Sequence, residues 1–297
     1  MKQVNRPLVS VVMPVRNAGN FLLEAIKSIL NQTYKNLELI IVNDASTDET
    51  SRILSSFKDK RIMIFKNKTR FGVTKSANLA ISKAKGKYIA RMDGDDIADL
   101  ERIEKQVNFL NKNKNVVAVG GQCELINSDG IKIGEKRFPF ENDEIRKMIF
   151  SSVPLQQPTL MVNTKLLPKN FVWYDENYSS AEELELLFKL FKFGEVRNLN
   201  DYLLRYRIHG GNTSLKDPKK TFFLTLKTRF LAIRKYGYRP TFKGVMTTFA
   251  QVILISLIPD SWIYPIYSLI RGTNKFNVKI NLDANILLQK AFSLVKV

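Results

Sequence analysis

Apolar residues fall along the first half of the chain in two alternating rhythms. Leu8–Val15, Leu37–Val42, Arg61–Phe65, Lys87–Met92 and Val116–Val119 are short runs rich in Val, Ile and Leu, the pattern of buried strands. Between them, Phe21–Leu30, Asp48–Phe57, Gly72–Ala84 and Leu100–Leu110 read as helices; in the first, Leu22, Ala25, Ile26, Ile29 and Leu30 share one face. Asp48 is the expected N-cap of its helix. Strand-helix alternation predicts an α/β fold with a parallel, doubly wound sheet. Such sheets bind ligands beyond the carboxyl ends of their strands.

After Gly120 the rhythm changes. Gln122–Ile133 predicts two strands around the turn Asn127–Gly130, Glu141–Phe150 a short helix, and Gln157–Val162 a strand. Ala181–Phe193 predicts a helix, with Leu184, Leu187, Phe188 and Phe191 on one face. Val196–Leu199 and Tyr202–Arg207 read as short extended segments.

Two acidic clusters lie where the parallel-sheet reading puts a ligand site. Asp93, Asp95 and Asp96 follow an apolar strand, with Gly94 expected to allow a sharp turn. Carboxylates are hard oxygen ligands that suit Mg2+ or Mn2+, ions that in turn hold phosphate oxygens. Asp44 ends the second strand within Asn43–Asp48. Its local sequence is explained equally by turn chemistry and by hydrogen bonding to a base or ribose at the sheet edge.

Taken together and in order, Val9–Asn17 (VSVVMPVRN), Glu24–Tyr34 (EAIKSILNQTY), Leu39–Asp48 (LIIVNDASTD), Gly72–Asn78 (GVTKSAN), Ala90–Asp96 (ARMDGDD) and Arg102–Gln106 (RIEKQ) resemble the family 2 glycosyltransferases. The resemblance covers about residues 7–213. It implies a GT-A fold: a Rossmann-like, mostly parallel sheet flanked by helices. It also implies that Pro14, Arg16, Asn17, Asp44, Arg70 and Asp93 form the nucleotide site. Asp93 and Asp95 become the metal-binding pair, with His209 completing the shell and Asp96 an alternative ligand or sugar contact. Arg207 is an alternative to His209 for steadying the diphosphate.

The family's catalytic acidic pair corresponds to Glu182-Glu183, with Glu183 as general base. Glu stands here where Asp is usual, and acids in a first helical turn also have a purely electrostatic reason to be there. Gln156, Gln157 and Pro158 are placed on the acceptor side. The implied reaction is inverting transfer from a nucleotide sugar, UDP-linked by family frequency, with a divalent cation. The implied acceptor is a lipid-linked saccharide, as in capsule or O-antigen assembly.

Charge adds a second theme. Lys and Arg number 47 against 28 acids, a formal +19. Nine of these cations (Lys216, Lys219, Lys220, Lys227, Arg229, Arg234, Lys235, Arg239 and Lys243) fall in 216–243 beside one acid, Asp217. Val245–Ile258 is apolar apart from four polar residues, and Pro259-Asp260 separates it from the aromatic stretch Trp262–Ile270. Neither run approaches the roughly 18 apolar residues of a spanning helix. Basic and aromatic residues together predict a helical appendage, residues 216–297, lying on an anionic membrane beside a transferase domain of residues 1–215.

One cysteine, Cys123, precludes an intrachain disulfide, and Met1–Pro7 is too short and polar for a leader; a cytoplasmic protein at the inner face of the plasma membrane is expected. Two rivals follow from the same features: a metal-dependent nucleotidyltransferase, and a non-enzymatic basic protein binding membranes or nucleic acid. No recognised nucleic-acid-binding motif is present, so no nucleic-acid partner is expected. The first strand is not followed by Gly-x-Gly-x-x-Gly, which disfavours a dinucleotide-dependent dehydrogenase.

Overall fold

The computed structural model describes residues 6–176, 181–211, 217–259 and 262. The first half alternates as expected: β1 (Val9–Val15), α1 (Gly19–Leu30), β2 (Leu37–Asn43), α2 (Thr50–Ser56), β3 (Ile62–Lys66), α3 (Val73–Ser82) and β4 (Tyr88–Arg91). A two-residue strand, β5 (Ile97–Ala98), then leads to α4 (Arg102–Lys112). The second half comprises β6 (Val116–Ile126), β7 (Lys132–Lys136), α5 (Asn142–Met148), β8 (Met161–Asn163), α6 (Glu182–Leu190), β9 (Glu195–Arg207), α7 (Pro218–Tyr236) and α8 (Phe242–Leu257).

All nine strands join one sheet in the order β3-β2-β1-β4-β8-β6-β9-β5, with β7 paired to β6. β3, β2, β1 and β4 are parallel. Beyond β4 the sheet is mixed: β8 runs antiparallel to β4 and β6, β5 antiparallel to β9, and β6 parallel to β9. The chain reaches β8 from α5 through a 3-10 turn, Gln157–Thr159. Pro158 near the start of that turn removes the N–H a strand would need, so the strand expected at Gln157 begins only at Met161.

The fully buried β1 sends Val9, Val11, Met13 and Val15 to one face of the sheet, against Leu22, Ile26 and Ile29 of α1 and Ile103 and Val107 of α4. Val12 points to the other face, with Ile40, Val42 and Ala80 of α3. A further core gathers α5, α6 and Ala232 of α7 around Val117, Ala118 and Val162. The two strands expected around the turn Asn127–Gly130 are present as β6 and β7, but the strand expected to end at Val119 is part of β6, which runs straight through Gly120. A Cβ on Gly120 would meet Leu155 Cδ1 at 2.3 Å, so glycine here marks close packing and not a strand end. The two extended segments expected near residues 196–207 are one strand, β9.

Buried polar side chains brace α1 and α4 beneath the sheet. Gln32 Nε2 donates to Asp99 O at 2.5 Å, and its Oε1 accepts from Ile103 N at 2.9 Å. Gln106, fully buried, donates to Val119 O at 2.9 Å and Thr159 O at 2.7 Å and accepts from Arg102 Nε at 3.2 Å.

α7 and α8 complete the described chain. α7 begins at Pro218 with Asp217 Oδ1 accepting from Lys220 N, and ends at Gly237 in the left-handed conformation, φ 65°. No helix among the described residues is long and apolar enough to cross a membrane. Tyr264, Tyr267 and most of the expected aromatic stretch lie outside the described residues, as do Lys216 and the expected domain boundary at 215/216.

Removing the Gln106 amide leaves two buried carbonyls and the Arg102 Nε–H without partners, each costing on the order of 1–3 kcal/mol. Gln106→Leu is therefore expected to destabilise the protein by about 3 kcal/mol in urea unfolding. A control at the exposed Lys112, Lys112→Ala, is expected to stay within about 0.5 kcal/mol. Equal midpoints for the two variants would show that the brace contributes nothing.

Candidate functional site

The sheet reverses its strand order between β1 and β4, and a crevice opens where these two strands end. Their pairing stops at Val12–Arg91. Pro14 lies two residues beyond that last pair, which is how a proline is accommodated in an interior strand. Arg16 and Asn17 follow at the mouth, both exposed. Asn17 adopts φ 50° and stitches this loop to the one after β2: its N–H donates to Ser46 Oγ at 3.0 Å and its Oδ1 accepts from Thr47 N at 2.9 Å. Asp48, expected as a helix cap, does more. It accepts from Thr50 N at 3.0 Å, at the start of α2, and from Gly19 N at 2.9 Å, at the start of α1. Gly94 holds no left-handed turn. A Cβ there would meet Val15 Cγ1 at 2.7 Å, so its role is to let the acidic loop approach β1.

Asp93, Asp95 and Asp96 present one oxygen each within 4.8 Å of one another. Asp96 is 1% exposed; its Oδ1 accepts from Arg207 N at 2.8 Å, and its Oδ2 is buried with no hydrogen-bond partner among the described residues. Burial, then repulsion from Asp95 and Asp93, pushes the Asp96 pKa well above the ordinary range. Burial also raises Asp93, against the pull of Arg91. His209 Nδ1 accepts from Gly211 N at 3.1 Å, and its Nε2 lies 2.9 Å from Asp95 Oδ2. Three carboxylates, one with an orphaned buried oxygen, and a neighbouring imidazole fit a hard divalent cation in both charge and donor type.

Three buried arginines surround this cluster. Arg102 donates to Arg91 O at 2.8 Å from below. Arg207 is 1% exposed. It donates to Asp95 O at 2.9 Å and Ser128 O at 2.9 Å, pairs with Glu24 at 2.6 Å, and lies over the Phe21 ring. With its guanidinium bonded to these carbonyls, Arg207 holds the acidic loop in place. Arg91, 3% exposed, donates to Met92 O at 2.8 Å and pairs with Asp93 at 3.2 Å.

Arg91 also leads to the opposite wall. It hydrogen-bonds Tyr174, and its charge offsets those of Asp93 and Glu182. Tyr174 is clamped by Asn78, whose side chain exchanges hydrogen bonds of 2.9 and 3.2 Å with the Tyr174 backbone. Gln157 Nε2 lies 3.3 Å from the Tyr174 hydroxyl and hydrogen-bonds Glu182. Gln156 instead accepts from Lys136 at 3.2 Å. Glu182 and Glu183 open α6 after Ala181, itself left-handed at φ 62°. Glu182 is buried, whereas Glu183 is partly accessible. Burial raises Glu183 to about 8, with added repulsion from Glu182 and Asp93.

Asp44 closes the far end of the crevice. Its Oδ1 accepts from Asn67 Nδ2 and Phe71 N, both at 2.8 Å, and its Oδ2 accepts from Gly72 N at 2.8 Å. Burial favours its neutral form, yet these donors hold its pKa below the ordinary value. Asp44 thus anchors the loop that carries the exposed Arg70.

No role for Arg91, Tyr174 or Asn67 follows from the sequence pattern alone. Arg91 had a readable signal: a lone arginine in an otherwise apolar strand, next to an acidic cluster. Tyr174 had none, since it sits in an irregular segment and is defined only by the contact with Asn78.

Comparison with known proteins agrees with this geometry. Residues 10–166 match the family model described as glycosyl transferase family 2. An uncharacterized glycosyltransferase of Haemophilus influenzae is 37% identical over 221 residues, covering 71% of this chain and 68% of that protein. One from Methanocaldococcus jannaschii is 33% identical over 240 residues, covering 77% and 81%. One from Rickettsia felis is 35% identical, but this chain spans only 35% of its length. Among solved structures, S. aureus TarS 1–349 in complex with UDP-GlcNAc superposes with a TM-score of 0.64 at 19% identity, over 93% of this chain and 77% of that one. The mannosyltransferase PcManGT of Pyrobaculum calidifontis, in complex with GDP-Man and Mn2+, superposes with a TM-score of 0.57 at 15% identity, over 91% and 85%. These likenesses establish the fold, and the family match over more than half of the chain establishes the rest: the protein belongs to glycosyl transferase family 2 and is a glycosyltransferase with a GT-A fold.

Proposed function

We propose that this glycosyltransferase moves a sugar with inversion from a nucleotide-diphosphate sugar, a UDP-sugar in the first instance, to a hydroxyl of a lipid-linked saccharide in bacterial surface-polysaccharide assembly. The observation that carries the reading is the placement of Glu183, partly accessible and with a raised pKa, across the β1/β4 crevice from the Asp93–Asp96 cluster. Likeness to a protein that binds UDP-GlcNAc and to one that binds GDP-Man with Mn2+ supports the donor class.

In this reading the base edge of the donor lies toward Asp44 and Arg70, and the diphosphate toward Arg16, Asn17 and Asp93. Asp93 and Asp95, with Asp96 and His209 beside them, would hold Mn2+ or Mg2+. Such an ion, when bound, offsets the charge that develops on the leaving diphosphate. Glu183 takes the proton from the acceptor hydroxyl, whose oxygen attacks the anomeric carbon opposite the leaving group. Glu182, held by Gln157 and offset by Arg91, is the positioning partner and not the base. Asp93 is kept in register by Arg91 and Arg102. A cytoplasmic site of action at the inner face of the plasma membrane fits the +19 charge.

Mn2+ with UDP is expected to raise the thermal midpoint by several degrees, and either alone by much less. Asp95→Ala should abolish the joint shift while folding normally. A shift with a nucleoside triphosphate but no diphosphate would turn the reading toward nucleotidyl transfer.

A base must be deprotonated to act. With Glu183 raised to about 8, turnover in the absence of other limits should increase as pH rises toward that value and level off above it. Glu183→Gln should lower kcat by about 10²–10⁴-fold with donor binding retained. A pH profile flat from 6 to 9 in the parent enzyme would remove Glu183 from the role.

A further inference from the structure

α8 packs on the protein lightly. Its two buried residues, Gly244 and Thr248, are small, and Gln251, Val252 and Ile255 on the same face are only partly covered. Thr248 Oγ1 donates to Phe150 O at 2.8 Å, and Gln251 Nε2 donates to Ser151 O at 3.0 Å. Arg229 of α7 donates to the preceding carbonyl, Ile149 O, at 3.2 Å. Three successive carbonyls after α5 are thus capped from the two C-terminal helices. Arg229, counted in the sequence among surface cations, is spent on this tie and is 3% exposed.

The outward face of α8 is apolar. Phe242, Val245, Met246, Phe249, Ile253 and Leu257 fall on one side of the helix, and Phe242 and Leu257 are 82% and 78% exposed. α7 offers a different outward stripe, with Phe223, Lys227, Phe230 and Arg234 at helical spacing, aromatic alternating with basic. The two faces adjoin, because the Phe230 ring meets Phe150 edge-on, beside the carbonyl that Thr248 caps. A soluble protein rarely leaves so continuous an apolar face open.

Where α7 turns into α8, a cavity of about 410 Å³ opens. Arg146, Lys147, Lys192 and Arg239 line it with a single acid, Asp143, above the rings of Phe188 and Tyr236. Among the described residues, Lys147, Lys192 and Arg239 have no ion-pair partner. An apolar face beside unneutralised cations and a cationic cavity is complementary to one kind of surface: acyl chains under a layer of anionic phosphates.

We propose that the α7–α8 pair is an interfacial docking surface for an anionic bilayer, with the cavity at its turn receiving a lipid phosphate headgroup. This rests on the membrane-proximal reading above and gives it a face, an orientation and a lipid class. α8 lies along the interface with Phe242, Phe249 and Leu257 among the acyl chains. Lys227 and Arg234 sit at headgroup level, and Arg239 and Lys147 grip one phosphate.

The test is flotation of the full chain with phosphatidylcholine vesicles, with and without 30 mol% phosphatidylglycerol. Binding should be at least tenfold tighter with the anionic lipid. Phe249→Ser should weaken it by about tenfold, and Lys147→Gln and Arg239→Gln by about fivefold each. Lys58→Gln and Lys60→Gln, remote on the α2–β3 loop, should have little effect; equal losses at both pairs would overturn the cavity assignment in favour of bulk charge.

A spin label at Phe249→Cys should be mobile without lipid and oxygen-accessible with vesicles, since the buried native Cys123 thiol, raised to about 12, stays inert. A label already immobile without lipid would mean that another segment or a second copy covers this face, and would overturn the proposal. The UDP–Mn2+ thermal shift, measured on the same variants, separates the two readings. Variants that lose vesicle binding but keep the shift support the docking surface; a parent chain that shows the shift but does not bind anionic vesicles sinks the docking surface alone.

Discussion

Most of this architecture is organised by one electrostatic problem. Asp93, Asp95, Asp96, Glu182 and Glu183 converge at the carboxyl end of β4 and the start of α6. Carboxylates so placed repel one another, and burial with that repulsion raises the pKa values of Asp93, Asp96, Glu182 and Glu183. The fold answers with Arg91, Arg102 and Arg207, each 3% exposed or less. A buried cation is costly alone, and each of these is tied to carbonyls as well as facing carboxylates. The burial is so complete around Arg102 that its own pKa is lowered to about 10. Such a balance leaves the acidic cluster short of positive charge, which is the condition a cation-binding site requires.

That constraint explains why the family motifs were legible as a set while their individual roles were not. Arg102 and Gln106 of RIEKQ and Gln32 of the α1 motif touch no solvent. They brace the acidic loop and the helices below it. Asn78 and Ser76 of GVTKSAN act likewise, on Tyr174 and Asn67. A motif read one residue at a time invites a ligand contact for each polar position. Burial shows that about half of these positions act on protein instead. Arg207 is the clearest instance, because nothing in a local Arg-Ile-His string tells whether the guanidinium points out or in.

The parts of the fold that sequence did reveal are those set by local periodicity: the β1–β4 alternation and the amphipathic helices. The parts it missed depend on long-range contacts. β8 pairs antiparallel with β4 and β6, and it starts at Met161 after a 3-10 turn that holds Pro158. Gly94 and Gly120 are explained by the atoms that approach them, Val15 and Leu155, which lie tens of residues away along the chain. The acidic cluster was found because strand ends in α/β sheets are ligand sites whatever the details, so position and residue type agreed before any contact was known.

The C-terminal helices were read from composition as an appendage, but their attachment passes through α6, the helix that Glu182 and Glu183 open. Glu185 lies two residues after Glu183 on α6, is 1% exposed, and pairs with Lys189 at 2.9 Å and with Lys235 of α7 at 3.3 Å; the Tyr236 hydroxyl donates to it as well. Stripping α7 away would leave this carboxylate buried with one cation where it now has two and a hydroxyl. Losing a partner from such a buried pair costs on the order of 3–5 kcal/mol. The helix that presents Glu183 is therefore held by the same helix that carries the Phe223–Arg234 stripe. The outward stripe of α7 and the side chain of Glu183 are thus linked through Glu185, so a surface that α7 rested on would also bear on how the crevice faces it.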